Sequence, residues 1–137
     1  MGDRRQAREL ALQALFFIDV DSSDPEKNLE SFCLNNEEEL TSAVKPFFHM
    51  LVSGVRDNQS RIDDLIIQCS KNWRLSRMPV VDRNIMRIAV FELLKCEDIP
   101  PSVTINEAVE IGKKYGTKDS GAFINGVLDR IKSLEGV

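Results

Sequence analysis

Apolar residues recur at three- and four-residue spacing along nearly the whole chain. That is the period of helices packed by one face. A first helix is expected from Asp3, a candidate cap, to about Val20, with Ala7, Leu10, Ala11, Ala14, Leu15 and Ile18 on one stripe. The acidic run from Asp19 to Asp24 reads as a loop. Asp24 followed by Pro25 is a helix start, because proline suits the first helical position. A short helix follows through Leu29, Phe32 and Cys33. Asn36 then precedes Glu37, Glu38 and Glu39, a cap with carboxylates in the first turn that favours another helix start, with Pro46 as a second candidate. Phe47, Met50, Leu51, Val55, Ile62, Leu65, Ile66 and Cys69 continue the helical period across a break near Asp57-Asn58. The stretch from Trp73 to Pro79 reads as a connection.

The segment from Val80 to Lys95 is apolar over a wide face (Val81, Ile85, Ile88, Ala89, Leu93), the mark of a central, buried helix. Pro100-Pro101 ends it. Thr104-Ile105-Asn106-Glu107 has the spacing of a capping box, with Val103 and Ala108 placed for a hydrophobic staple. Lys113 and Lys114 suit the negative end of that helix, and Gly116 suits a left-handed stop. After a polar link, a last helix carries Phe123, Ile124, Val127, Leu128, Ile131 and Leu134 on one side. Gly126 lies inside it at a cost of roughly 1 kcal/mol against alanine, which points to close helix packing there. The fold class expected is all-α: no strand alternation and no internal repeat is visible.

With 137 residues and 42% apolar content, the chain fits one domain, or two small bundles sharing a core. No apolar run approaches the roughly 20 residues of a membrane span. The charged N-terminus lacks the apolar segment of a secretory signal. Cys33, Cys69 and Cys96 are odd in number and scattered, which argues against disulfides and a zinc cluster and for buried thiols in a reducing cytoplasm. The net charge of −4 has the wrong sign for indiscriminate nucleic-acid binding, so any RNA contact must use local positive charge, with a partner supplying part of the surface.

Nothing in the pattern carries catalysis, a cofactor or a metal. The one histidine, His49, sits between Phe48 and Met50 and reads as structural or surface. There is no phosphate-cradling glycine loop. Asp63-Asp64 reads as a solvated helix face. The densest basic point at either end is Arg4, Arg5 and Arg8, with Arg4 and Arg8 on one face and the amino terminus adding charge. Arginine forks match phosphate oxygens, but an ordinary charged first turn fits the spacing equally. A second candidate is Lys118-Asp119-Ser120 with Phe123, where anion-binding amides, a carboxylate and a stacking ring share a helix start. A cap followed by a core phenylalanine also accounts for it. A third group, Asp82, Arg83 and Arg87, fits a solvated face or an internal ion pair.

These blocks, taken together, resemble the NusB family. The carriers are the run from Arg4 to Phe16, the run from Val81 to Leu93, Val103 to Glu110 followed by Lys113-Lys114-Tyr115-Gly116, and Asp119-Ser120 followed by Phe123 to Asp129. The resemblance covers the chain in order, most loosely between Val20 and Pro46. It implies about seven helices in two perpendicular three-helix bundles, near 1–70 and 71–137, sharing a long central helix. It also implies transcription antitermination through binding of single-stranded boxA RNA of ribosomal transcripts, with a NusE-type ribosomal small-subunit protein and RNA polymerase as partners. The implied RNA side is Arg4, Arg5 and Arg8 with Lys118, Asp119, Ser120 and Phe123; the implied partner side is Phe16, Asp82 and Arg83. Phe16 stands where the family often has tyrosine, and Gly121-Ala122 where relatives carry bulkier or basic residues.

Two other readings remain open at this point. One is a helical protein-interaction adapter without RNA contact. The other is an RNA-binding module like the front domain of ribosomal RNA cytosine methyltransferases, although no methyl-donor-binding sheet is visible. A homodimer that hides the arginine face is a further expectation to test.

Overall fold

The computed structural model describes residues 2–71 and 74–137. Trp73, where the connection was expected to begin, and the amino terminus at Met1 lie outside the described residues. The regular elements among the described residues are all helices, with no strand. The elements are α1 (Asp3–Val20), α2 (Pro25–Asn35), α3 (Lys45–Asp57), α4 (Gln59–Cys69), a 3-10 turn (Leu75–Arg77), α5 (Val80–Lys95), α6 (Pro101–Tyr115) and α7 (Ser120–Glu135).

The wide apolar face of α5 has the expected consequence. This helix packs on α1, α3, α4, α6 and α7, and it is buried almost continuously from Asn84 to Leu93. One apolar cluster runs through the molecule, from Leu10 and Leu15 through Phe48, Leu51 and Val55 to Met86, Ile124 and Leu128. α3 packs on α5 at Gly54, where the Phe91 ring occupies the space a Cβ would need. The close packing expected at Gly126 is absent: a Cβ there would meet only the Arg130 guanidinium, 3.6 Å away.

Several local signals resolve differently from expectation. Asp24 does cap α2, accepting from the Lys27 amide, with Pro25 in the first turn. Asp3 is not a cap; Gly2 precedes the helix and Asp3 sits in its first turn. Asn36 starts no helix: its side chain donates to the Phe32 carbonyl and closes α2, leaving Glu37 to Glu39 in a turn. The Thr104–Glu107 capping box does not form either. Proline takes the first turn of α6 at Pro101, so Thr104 already lies inside the helix, and both side chains bond elsewhere. Val103 is exposed rather than stapled. Gly116 ends α6 in an extended conformation (φ −96°), and the left-handed stop occurs at Gly136 after α7 (φ 71°).

Candidate nucleic-acid interface

Arg4, Arg5 and Arg8 begin α1, and the structure separates their roles by burial. Arg4 is exposed and pairs with exposed Asp98 at 3.0 Å. Arg5 is half-buried and forks onto the Glu107 carboxylate of α6, its Nε donating to Oε1 at 2.7 Å. That hydrogen bond, reinforced by the charges of Arg5 and Arg8, holds the Glu107 carboxyl below the usual range. Arg8 is only 4% exposed. Its Nε donates to Glu92 Oε2 at 2.9 Å and its Nη2 to Oε1 at 2.7 Å, while Nη1 reaches Glu107 at 3.2 Å. Thr104 Oγ1 donates to the same Glu92, 3.1 Å away. The Arg8 guanidinium, expected on the RNA side, is enclosed between α1, α5 and α6. The Phe47 ring lies 5.4 Å from both the Arg4 and the Arg8 guanidinium, so the two share a face, and the pairing of Arg8 with buried Glu92 sets them apart.

Two turns further along the same side of α6, Glu9 Oε1 accepts from Lys114 Nζ at 2.8 Å and from the Tyr115 hydroxyl at 2.6 Å. A ladder of polar side chains thus joins α1 to α6: Arg5 to Glu107, then Glu9 to Lys114 and Tyr115. α6 in turn packs closely along α7. The start of α1 and the start of α7 therefore flank one helix, with 2.7–2.8 Å contacts fixing its register.

At the start of α7, Lys118 and Asp119 are exposed. No ion pair holds Lys118 among the described residues. Phe123 is half-buried and packs on the core edge. Ser120, expected on the RNA side, is buried. Its hydroxyl donates to Asp82 Oδ1 at 2.7 Å and accepts from the Thr117 amide at 2.9 Å, pinning the link and α7 to α5. Asp82, expected on the partner side, is likewise buried, and burial raises its carboxyl above the usual range.

The other expected partner residues divide similarly. Phe16 is half-buried, edge-on to the exposed Phe17 ring at 6.4 Å. It lines an apolar groove with Leu12, Gln13, Phe17, Val81 and Tyr115. Arg83 turns inward, donating from Nε to Asp19 at 2.7 Å and from Nη1 to the Leu75 carbonyl at 3.2 Å. Arg87 is buried and bridges Asp19 to Asp63, so Asp63 is not a solvated residue as expected but part of an internal network. Burial pushes the Asp19 carboxyl upward, yet hydrogen bonds from Arg83 and Asn84 and the charge of Arg87 outweigh it and hold the group low.

Spacing along the chain could not reveal Glu92, Glu107 and Asp98 as the partners of the arginines, because they lie 84 to 102 residues away. His49 is exposed. Cys69 and Cys96 are buried and Cys33 partly so, all as free thiols. Among the described residues no His, Cys, Asp and Glu group could hold a metal, and no helix is long and apolar enough to cross a membrane.

The profile of the NusB family matches residues 5–133 of this chain. The chain belongs to the NusB family. It is 59% identical over 137 residues to the transcription antitermination protein NusB of Desulforapulum autotrophicum, covering 100% of this chain and 96% of that one. It is 52% identical to NusB of Pelotomaculum thermopropionicum, covering 93% and 88%. Among solved structures, NusB of T. maritima superposes with a TM-score of 0.83 at 43% identity, covering 95% of this chain and 90% of that one. A crystal structure of the antitermination factors NusB and NusE in complex with double-stranded RNA superposes with a TM-score of 0.86 at 25% identity, covering 98% of each chain. The family match opens at Arg5 and takes in Glu92 and Glu107, so the NusB segment includes the ladder that joins α1 to α6.

Proposed function

We propose that the protein is a transcription antitermination factor that binds boxA-type single-stranded RNA of ribosomal transcripts, jointly with a NusE-type ribosomal protein, within an RNA polymerase antitermination complex in the cytoplasm. Its role is regulatory, not catalytic. The observation that carries this reading is the placing of Arg4 and Arg5 and the start of α7 on either side of α6. The antitermination names of its relatives support it.

Within the proposal, Arg4, Arg5 and Lys118 supply phosphate contacts. Asp119 accepts from the edge of an unstacked base, and Phe123 stacks on one. Arg8 and Ser120 act indirectly, holding α1 and α7 in place through Glu92 and Asp82. The Phe16 groove meets the protein partner, with Arg83 and Asp82 fixing the α5 end of that face. The whole chain works as one unit, an N-terminal bundle to about residue 70 and a C-terminal bundle from about 71, both built on α5. Since its arginines are matched internally by carboxylates, the protein alone binds RNA modestly and the partner tightens the complex.

The test is a titration of labelled boxA-like RNA with and without the NusE-type protein, at two salt concentrations, against a scrambled RNA. Selective, salt-sensitive binding that tightens with the partner is expected. No selective binding with the partner present would leave only the adapter reading. Light scattering with and without RNA tests self-masking: a monomer in both conditions would end the homodimer expectation.

A further inference from the structure

The accessible cations near the start of α7 include one whose stem lies against a glycine. Lys113 stands in the last turn of α6, beside a close approach of α6 to α7: a Cβ at Gly112 would lie 3.8 Å from the Gly121 amide nitrogen. A Cβ at Gly121 would lie 3.4 Å from Lys113 Cγ, 3.6 Å from its Cε and 3.5 Å from Val109 Cγ1. The lysine stem is therefore laid across the bare backbone of α7, in the space a larger side chain would fill. Its ammonium is left in solvent at the end of the helix where Lys118 and Asp119 are exposed.

Three of the neighbouring cations are more firmly held. Arg8 is enclosed, Arg5 forks onto Glu107, and Lys114 bonds to Glu9 at 2.8 Å. Lys113 is 63% exposed, and its only ion-pair partner among the described residues, Glu110, stands 3.7 Å away and is itself exposed. That separation is beyond hydrogen-bond reach, and so exposed a pair holds little. A seated stem with a loosely held ammonium suits the capture of a phosphate as a point charge.

We propose that Lys113, its stem seated against the α7 backbone at Gly121, is a phosphate-contacting residue of the RNA interface. This rests on the RNA-binding reading of the same face. The experiment compares the wild-type protein, K113A, K113R and the control K132A, which removes the same charge at the far end of α7. Each is titrated with boxA-like and scrambled RNA across a salt series, in the presence of the NusE-type partner.

K113A is expected to lose about three- to tenfold in affinity at low salt, for both RNAs alike, and to flatten the log–log salt slope by about 0.7, the increment of one single-strand phosphate contact. K113R is expected to restore the slope, and K132A to keep it. K113A with wild-type affinity and slope, or with weaker binding at an unchanged slope, would overturn the assignment while the RNA-binding reading stands. A wild-type protein that binds neither RNA would overturn that reading, and the assignment with it.

Discussion

Replacing Arg8 by alanine is expected to weaken the fold itself, well beyond any effect on RNA binding. Arg8 and Glu92 have side-chain exposures of 4% and 1%. The substitution strips Glu92 of the Nε bond at 2.9 Å and the Nη2 bond at 2.7 Å, leaving a carboxylate in the core with only Thr104 at 3.1 Å. Breaking a buried pair from one side costs about 3–5 kcal/mol, because the remaining charge stays desolvated. For a domain of this size that lowers the melting temperature by roughly 10–20 °C. Arg4→Ala, which breaks an exposed pair, is expected to cost less than about 1 kcal/mol. Removing both buried charges in R8M/E92L is expected to recover most of the loss, since apolar packing replaces a buried ion pair at little net cost. Urea and thermal unfolding of the four proteins, read by circular dichroism, measure this directly. The reasoning fails if R8A unfolds within about 1 kcal/mol of wild type, the ceiling for an exposed pair, yet loses RNA affinity. Arg8 would then be an RNA contact and not the bolt between α1 and α5.

Two further outcomes follow from the same geometry. The Glu107 carboxyl is held low by the Arg5 hydrogen bond, so its stabilisation is present above the ordinary carboxylate pKa of about 4.3 and is lost as pH falls through the lowered value. An unfolding series from neutral pH into the acid range is expected to show E107Q less stable at neutral pH, with the gap to wild type closing at the acid end; a constant gap would refute it. The glycines give a contrast: G54A is expected to destabilise by about 1–3 kcal/mol because the Phe91 ring must shift. G126A is expected to stabilise by up to about 1 kcal/mol, since the Arg130 guanidinium would stand 3.6 Å from the new Cβ, an ordinary contact, and alanine favours helix. The same denaturation assay reads both, and equal signs would refute the packing distinction.

The helix pattern was legible wherever one local force acts alone. The span of α5 follows from its apolar breadth and the start of α2 from Asp24-Pro25. Legibility fails where tertiary partners compete for the same side chain. Thr104 and Glu107 have the spacing of a capping box, yet Glu92 and Arg5 claim them and Pro101 starts the helix three residues earlier. Arg4 and Arg8 share a face by spacing, but depth along that face is decided by Glu92, which local periodicity cannot supply. Ser120 and Asp82 were each singled out by sequence, and the resemblance assigned them to separate surfaces. They are partners in one buried hydrogen bond, joining residues 38 positions apart.

The span between the arginines and their carboxylates also bears on the order of synthesis. Arg5 pairs across 102 residues with Glu107, and Arg8 across 84 with Glu92. At about 5–20 residues per second, the interval between translating Arg5 and translating Glu107 is roughly 5–20 s. Throughout that interval the growing polypeptide presents an uncompensated basic head on the ribosome, surrounded by RNA. Release from that state waits for the second half of the message. The first helix translated thus waits for the sixth to have its charge matched.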